Sequence, residues 1–220
     1  MAFFSSKDKE QTTGQTTKPK KQKETQNQNP KVTNTTTISK NIKIEGNIDG
    51  ADELVVEGTL NGNITVNSVT IGKDGSVTGI ITAQNIIVSG KINGKIICNT
   101  LDIMHSGYIT NNIHAKKVTV SGEILGDILA EESINITHTG KVKSNSLVSK
   151  NITVNGNVEG KISASELLSV GSNGFVNGEI SVKNIKTDEG GRVIGSMAMY
   201  EAPKQMKKKK NEVLDATIEN

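Results

Sequence analysis

The chain has 220 residues, of which 2% are aromatic and 22 are Gly, and this composition excludes a domain built around a large aromatic core, so Ile, Val and Leu must form the interior. The net charge of +3 is uneven, because residues 1–40 hold eight Lys against three acids, whereas residues 41–197 hold 13 Lys and Arg against 16 acids. The single cysteine, Cys98, excludes a disulfide framework, and no stretch approaches the ~20 apolar residues of a transmembrane helix.

The first nine residues, Met-Ala-Phe-Phe-Ser-Ser-Lys-Asp-Lys, combine apolar side chains with lysines. Phe3 and Phe4 lie far from any predicted core, and Lys7 and Lys9 follow them. Aromatic rings insert at the acyl boundary of a bilayer, while lysines bind anionic headgroups. Residues 1–9 are therefore predicted to contact a membrane through Met1, Phe3, Phe4, Lys7 and Lys9. One such segment binds weakly, but many segments on one polymer bind firmly.

Residues 10–40 are rich in Gln, Thr, Asn and Lys and have almost no apolar side chains before Val32, so a disordered polar and basic linker is predicted. Its lysines are not interleaved with aromatic or arginine side chains, and no nucleic-acid partner is expected. The N-terminus also lacks the apolar run of about 7–15 residues that is typical of a secretory signal, which predicts a cytoplasmic protein.

A repeat of alternating apolar residues and glycines occupies residues 41–197. Its clearest copy is Val118–Ile128, Val-Thr-Val-Ser-Gly-Glu-Ile-Leu-Gly-Asp-Ile, in which apolar residues recur at every second position of the first strand. Alignment on the apolar pair before each glycine gives ten copies, from Ile42 and Ile44 to Ile185 and Thr187, with about 16 residues per copy. Long copies, which insert two residues before the glycine, alternate with short copies through the middle of the repeat.

A copy of about 16 residues holds roughly three short strands and three corners, too few strands for a propeller blade. The predicted fold is all-β: a single-domain parallel β-helix, or β-solenoid, of about ten coils stacked ~4.8 Å apart, with disordered tails. Cys98 lies two residues after Ile96 in the alternation, which predicts a small core residue. The repeat stops after Met197, so residues 198–220 are predicted to form a flexible C-terminal tail.

No catalytic, cofactor-binding or metal-binding motif stands out, and we expect neither enzymatic activity nor a cofactor. Gly94-Lys95, for example, is followed by Ile rather than by the Ser or Thr of a phosphate-binding loop, and glycines recur at every corner. His105 and His138 fall in equivalent loops two coils apart, about 10 Å, which is too far for one metal ion. The carboxylates lie on separate coils, and nothing fixes two of them at the ~5–9 Å separation of a glycosidase pair.

The two ends of the predicted solenoid are candidate self-assembly surfaces. A β-helix without a cap exposes unpaired backbone N–H and C=O groups at each end, and stacking of subunits pairs those groups while burying apolar side chains. Phe175 lies one coil from the C-terminal end, where an exposed aromatic side chain favours a contact role. The predicted self-assembly residues are Ile42, Ile44, Ile48, Phe175, Val193, Ile194, Met197 and Met199.

The layout of the chain resembles that of the bactofilins, bacterial polymer-forming cytoskeletal proteins. It has a short apolar N-terminus beginning Met1-Ala-Phe-Phe, a linker, repeats of the Val118–Ile128 type and a short tail. The resemblance implies a right-handed, three-sided β-helix, residues 41–197, that assembles end to end without nucleotide into non-polar filaments. It also implies peripheral attachment to the anionic inner face of the cytoplasmic membrane, where filaments scaffold cell-wall synthesis or hydrolysis proteins and determine cell shape.

Two alternatives place the same repeat in other functional classes. A left-handed β-helix acyltransferase requires an aliphatic residue at every sixth position, but the copies here vary in length and their glycines are unevenly spaced. A secreted polysaccharide-binding or adhesin β-solenoid requires the secretory signal that the N-terminus lacks.

Overall fold

The structure, a computed structural model, describes residues 34–50 and 52–201, in which every regular element is a β-strand. The predicted membrane-contacting segment, residues 1–9, lies outside these residues, as do residues 10–33 of the predicted linker and residues 202–220 of the predicted tail. The described strands are β1 (Thr35–Ile38), β2 (Lys43–Glu45), β3 (Ile48–Asp49), β4 (Glu53–Val56), β5 (Thr59–Asn61), β6 (Ile64–Thr65), β7 (Ser68–Ile71), β8 (Ser76–Thr78), β9 (Ile81–Thr82), β10 (Asn85–Val88), β11 (Lys91–Asn93), β12 (Ile96–Ile97), β13 (Thr100–Ile103), β14 (Tyr108–Thr110), β15 (Ile113–Val120), β16 (Glu123–Leu125), β17 (Ile128–Ile136), β18 (Lys141–Val154), β19 (Asn157–Val170), β20 (Phe175–Thr187) and β21 (Arg192–Met199).

Each strand pairs in parallel with the equivalent segment of the next coil, so the strands form three stacked faces. Face 1 begins with β1 and β4, face 2 with β2 and β5, and face 3 with β3 and β6. From β15 onward, most strands continue round a corner from one face to the next. Coils 1 to 10 have face 1 segments that begin at residues 35, 53, 68, 85, 100, 117, 133, 151, 167 and 184. The predicted parallel β-solenoid of about ten coils is confirmed, and it has three sides.

The core consists of aliphatic columns, because alternate side chains of each strand point inward and equivalent strands stack ~4.8 Å apart. Away from the ends, these side chains are almost fully buried, and each contributes ~1.5–3 kcal/mol relative to an exposed one. The middle coils therefore form a stable scaffold. One such column on face 3 contains Ile48, Ile64, Ile81, Ile96, Ile113, Ile128, Leu147, Ile162, Ile180 and Met197.

Small side chains form a neighbouring inward column on face 3. Cys98 is buried in this column, in coil 4, two residues after Ile96, and Ala83 and Ala115 occupy the equivalent positions of coils 3 and 5. The prediction that Cys98 is a small core residue is confirmed.

The corner between faces 2 and 3 is lined by glycine because successive coils approach each other closely there. A β-carbon on Gly94, for example, would lie only 1.8 Å from the carbonyl oxygen of Gly79 in the coil below. Asn111 occupies this corner in coil 5 with φ of 85°, a conformation that Asn adopts more readily than most residues. The corner column contains Gly46, Gly62, Gly79, Gly94, Asn111, Gly126, Ser144, Gly160, Gly178 and Gly195.

The corner that joins face 1 to face 2 is long in one coil and short in the next, as predicted for the middle of the repeat. In coil 3, the long corner is closed by a hydrogen bond from the Gly75 N–H to the Gly72 C=O of 2.9 Å, and coils 5, 7 and 9 repeat this bond. The exposed side chains of His105 and His138 lie in the long corners of coils 5 and 7, which are two coils apart as predicted. Coil 10 also has the long form.

The predicted first copy of the repeat is assigned to the wrong strand. The prediction aligns Ile42 and Ile44 with the face 1 pair that begins at Leu54. In the structure Leu54 pairs with Thr36, and Ile44 pairs with Leu60 of face 2. Ile42 lies in the corner between faces 1 and 2 of coil 1. The reason is that coil 1 carries a run of threonines on face 1 where later coils carry aliphatic residues, so its apolar alternation is missing. The solenoid thus begins at Thr35, inside the range predicted as linker, and its last strand ends at Met199.

Candidate functional site at the ends of the solenoid

The end coils have open edges within the described residues. At the N-terminal end, β1, β2 and β3 each pair with coil 2 alone, and at the C-terminal end β21 pairs only with β20. Each end strand therefore has one edge whose backbone N–H and C=O groups have no strand partner among these residues. Such edges are templates for pairing with another chain.

The N-terminal end presents isoleucine side chains, most of them at least partly buried. Ile44 and Ile48 face inward and pack against the core, and Ile38 is buried beside them. Ile42 differs from the other predicted residues at this end because it is half-exposed and lies outside any strand.

An ion pair connects the corner of coil 1 to that of coil 3. Lys40 Nζ lies 2.5 Å from the Asp74 carboxylate, and this contact spans coil 2. The hydrogen bond and the opposite charge raise the pKa of Lys40 and lower the pKa of Asp74. Both side chains are well exposed, so the pair positions the end corner more than it stabilises the fold.

The C-terminal end presents methionine side chains that are more exposed. Met197 and Met199 continue the two inward columns of face 3, yet they are 53% and 72% exposed because no coil covers them among the described residues. Val193 also faces inward and packs against the core. Ile185 lies at the same end on face 1 and is exposed, although the sequence analysis did not assign it to the end surface. Its alternation with Thr187 in the last apolar pair is the signal that identifies it.

Two predicted assembly residues lie on the side of the solenoid rather than on its end. Ile194 follows the inward-facing Val193 and points outward on face 2, where it is 49% exposed. Phe175 also lies on face 2, paired in register with Arg192, whose guanidinium carbon is 5.4 Å from the Phe175 ring centroid. This cation–π contact ties Phe175 to the last coil.

No group of three or more His, Cys, Asp and Glu side chains within residues 34–50 and 52–201 is arranged to hold a metal ion. None of the described residues belongs to a helix long and apolar enough to cross a membrane.

Burial in the small-residue column raises the pKa of Cys98 to about 12. The reactive thiolate is therefore scarce at pH 8, and the sulfur is shielded by its neighbours. We expect Cys98 to react with Ellman's reagent at least ~100-fold faster in guanidinium chloride than in the native protein, since local opening limits native reactivity. Equal rates in the two conditions, measured by absorbance at pH 8, would show that the column is open to solvent.

Comparison with protein families identifies the repeat. The family model for bactofilin, described as polymer-forming cytoskeletal, matches residues 36–121 and again residues 115–198. The chain belongs to the bactofilin family. The two matches together run from within β1 to within β21, so all of the described strands of this bactofilin except the terminal residues Thr35 and Met199 lie inside the matched range. Comparisons with curated proteins and with solved structures give no significant match.

Proposed function

We propose that this bactofilin is a non-enzymatic filament subunit that assembles end to end without nucleotide. The observation that supports this proposal most directly is that the strands of both end coils have open edges next to exposed apolar side chains. A second subunit stacked on either end pairs with the open strand edges of all three faces at once. The family description, polymer-forming cytoskeletal, supports the same conclusion.

The energy for such a joint comes from the ladder itself. One coil such as β4 to β6 contains nine strand residues, and each backbone hydrogen bond contributes about 0.5–1.5 kcal/mol net. With one hydrogen bond per strand residue, a fully paired joint is therefore favourable by roughly 5–14 kcal/mol, plus the burial of Met197 and Met199, before the cost of association is subtracted. No nucleotide is needed as an energy source.

Like ends join in the proposed filament, so the filament is non-polar. Two C-terminal ends brought together about a two-fold axis bury the same methionines of both subunits against each other, which is the geometry of an isologous interface. The N-terminal ends, with the partly buried Ile44 and Ile48, form the second kind of joint.

Electron microscopy of the purified full-length protein in nucleotide-free buffer tests this function. We expect filaments one solenoid wide or wider, whose length grows with protein concentration. Protein that stays monomeric at high concentration in sedimentation velocity would overturn the proposal.

The filament is further proposed to lie on the inner face of the cytoplasmic membrane and to scaffold cell-shape or cell-wall machinery. Its membrane contact is assigned to residues 1–9, with Met1, Phe3 and Phe4 in the acyl boundary and Lys7 and Lys9 on anionic headgroups. Multiplication of this weak contact along a filament gives firm attachment.

Replacing Phe3 and Phe4 together by Ala is expected to release filaments from anionic vesicles, with at least a tenfold loss in the bound fraction at low lipid. The reason is the loss of both aromatic anchors from every subunit of the polymer. Co-sedimentation with phosphatidylglycerol vesicles measures the bound fraction, and the filaments of the double variant seen by microscopy are expected to be unchanged. Phe175→Ala is the matched control, because it removes the third Phe of the chain from face 2. Equal vesicle binding by the double variant and the control would contradict the assignment.

A further inference from the structure

Face 3 carries a stripe of mostly apolar side chains that point outward on four consecutive coils. The central stripe consists of Ile97, His114, Leu129 and Val148, which are paired in register from coil 4 to coil 7. Ile97 and Leu129 are exposed, and Val148 is half-buried. Below and above the stripe, the same outward position is polar, with Thr82 in coil 3.

A shallow groove of about 290 Å³ runs beside the central stripe. Its floor and walls include the stripe residues His114, Leu129 and Val148, with Asn112 and Asp127 along one side. The stripe lies in the middle of the solenoid, so end-to-end stacking leaves it exposed in every subunit. The stripe is small for an interaction surface by itself, and its repetition along a polymer is what favours such a role.

The charges beside the stripe indicate which surface covers it. On the side towards face 2, Asn112 and Asp127 directly precede the paired residues Ile113 and Ile128 of coils 5 and 6. On the side towards face 1, Lys116 follows Ala115 in coil 5, and Glu131 and Glu132 follow Ala130 in coil 6, where the register shifts by one residue. Glu131 leans over face 3, since its carboxylate lies 3.8 Å from His114 Nε2. Each flank thus pairs a donor in coil 5 with a carboxylate in coil 6.

We infer that the central stripe docks against the central stripe of a second copy in a neighbouring filament, with the two solenoids antiparallel. A two-fold axis between coils 5 and 6 places Lys116 of one copy opposite Glu131 of the other, and Asn112 opposite Asp127, twice each. A parallel arrangement instead places Asp127 opposite Glu131 twice, and like charges in an interface are repulsive. The stripe is self-complementary only in the antiparallel orientation.

The area of the stripe is too small to pair single subunits, so pairing must follow filament formation. The inference therefore rests on the proposed function, the assembly of filaments. Four coils at ~4.8 Å and about 10 Å of strand give about 200 Å² per copy, whereas a stable interface needs ~800 Å² per partner. Single subunits therefore do not pair through face 3. Filaments do, because many weak contacts act together.

The first test compares two exposed isoleucines of the same coil. Ile97 on face 3 is 37% exposed and Ile87 on face 1 is 36% exposed, and each lies within a short parallel strand. In electron micrographs of full-length protein, Ile97→Glu is expected to give single filaments, while wild type and Ile87→Glu give paired or bundled filaments. Paired filaments in the Ile97→Glu variant, or single filaments in wild type, would overturn the inference while leaving the filament proposal intact. Wild-type protein without any filaments would overturn both.

The N-terminal segment is the rival occupant of the stripe, and the Phe3→Ala, Phe4→Ala double variant distinguishes it. Filaments of this variant are expected to remain paired. Loss of pairing would assign the stripe to the segment and overturn the inference.

Disulfide cross-linking tests whether the two paired solenoids are antiparallel. The antiparallel arrangement places Ile97 of one copy opposite Val148 of the other, and separates the two Ile97 side chains by three coils, about 14 Å. In a Cys98→Ala background, a mixture of Ile97→Cys and Val148→Cys subunits is expected to form cross-linked dimers at least tenfold faster than Ile97→Cys alone. Faster cross-linking of Ile97→Cys alone would indicate parallel pairing and overturn the antiparallel arrangement.

Discussion

Replacing Met197 and Met199 together by Glu is expected to stop assembly at the C-terminal end while leaving the solenoid folded. In the isolated subunit both side chains are mostly exposed, so glutamates there remain hydrated and the free energy of unfolding changes by less than about 1 kcal/mol. In a joint they would be buried without partners, at several kcal/mol each. Light scattering distinguishes two outcomes: dimers joined through N-terminal ends support joints between like ends, whereas monomers indicate head-to-tail joints. Unchanged filaments would remove the C-terminal end from the assembly surface.

Ile194→Glu is the matched control for this experiment. Ile194 lies on the same strand, β21, and its exposure of 49% is close to that of Met197, at 53%, but its side chain points outward on face 2. A coil stacked on the end does not cover it, and we expect filament length to stay within about twofold of wild type. Shortened filaments in this variant would show that Ile194 belongs to the assembly surface, as predicted from the sequence.

The middle of the fold is predictable from the sequence because two independent signals coincide there. In Val118–Ile128, period-2 alternation identifies inward residues and the glycines mark the corners. Insertion of two residues in the long corners preserves the register of the inward side chains, so the alternation survives from coil to coil. Coil 1 lacks the first signal, since Thr35, Thr36 and Thr37 replace the expected aliphatic pattern, and its start is therefore missed.

Runs of adjacent apolar residues are where the sequence fails to predict which side chain faces outward. Val193 and Ile194 are both apolar, and only the pairing of Val193 with Val176 shows which of them points inward. The same ambiguity hides the central stripe, because Ile97 follows the buried Ile96 and Leu129 follows the buried Ile128. A short run of adjacent apolar residues predicts burial of every side chain in it, and only the structure shows which of them point towards the core and which towards solvent.

The assembly role proposed for the ends has a physical reason that the repeat itself supplies. Every interior coil has its two edges paired and its columns covered, so substitutions there change stability. The end coils use similar residue types in the same columns, but within residues 34–50 and 52–201 each pairs with a neighbouring coil on one side alone. Ile48 and Met197 occupy one column with Ile113, and only their position in the stack distinguishes these proposed assembly residues from a core residue.

Gly160→Ala is expected to destabilise the solenoid more than any surface substitution considered above. Gly160 has φ of 124°, which strains any side chain, and a β-carbon there would lie 1.7 Å from the Ser144 carbonyl oxygen of the coil below. Backbone strain costs ~1–3 kcal/mol, and displacement of the neighbouring coil costs a further ~1–3 kcal/mol. Urea unfolding followed by circular dichroism is therefore expected to show a loss of roughly 2–6 kcal/mol. A loss below 1 kcal/mol would mean that the coils separate locally at little cost.

Gly46→Ala isolates the strain from the steric overlap and also reports on assembly. Gly46 occupies the same corner column in coil 1 with φ of 141°, but no atom lies within 4 Å of the position of its β-carbon. The free energy of unfolding is expected to fall by the strain alone, ~1–3 kcal/mol. In this column the β-carbon points towards the preceding coil, which at Gly46 is the open N-terminal end. If a second subunit stacks there coil on coil, its backbone fills that space, and Gly46→Ala shortens filaments that the unfolding measurement shows to be folded. Filaments of normal length would mean that the N-terminal joint does not continue the glycine column.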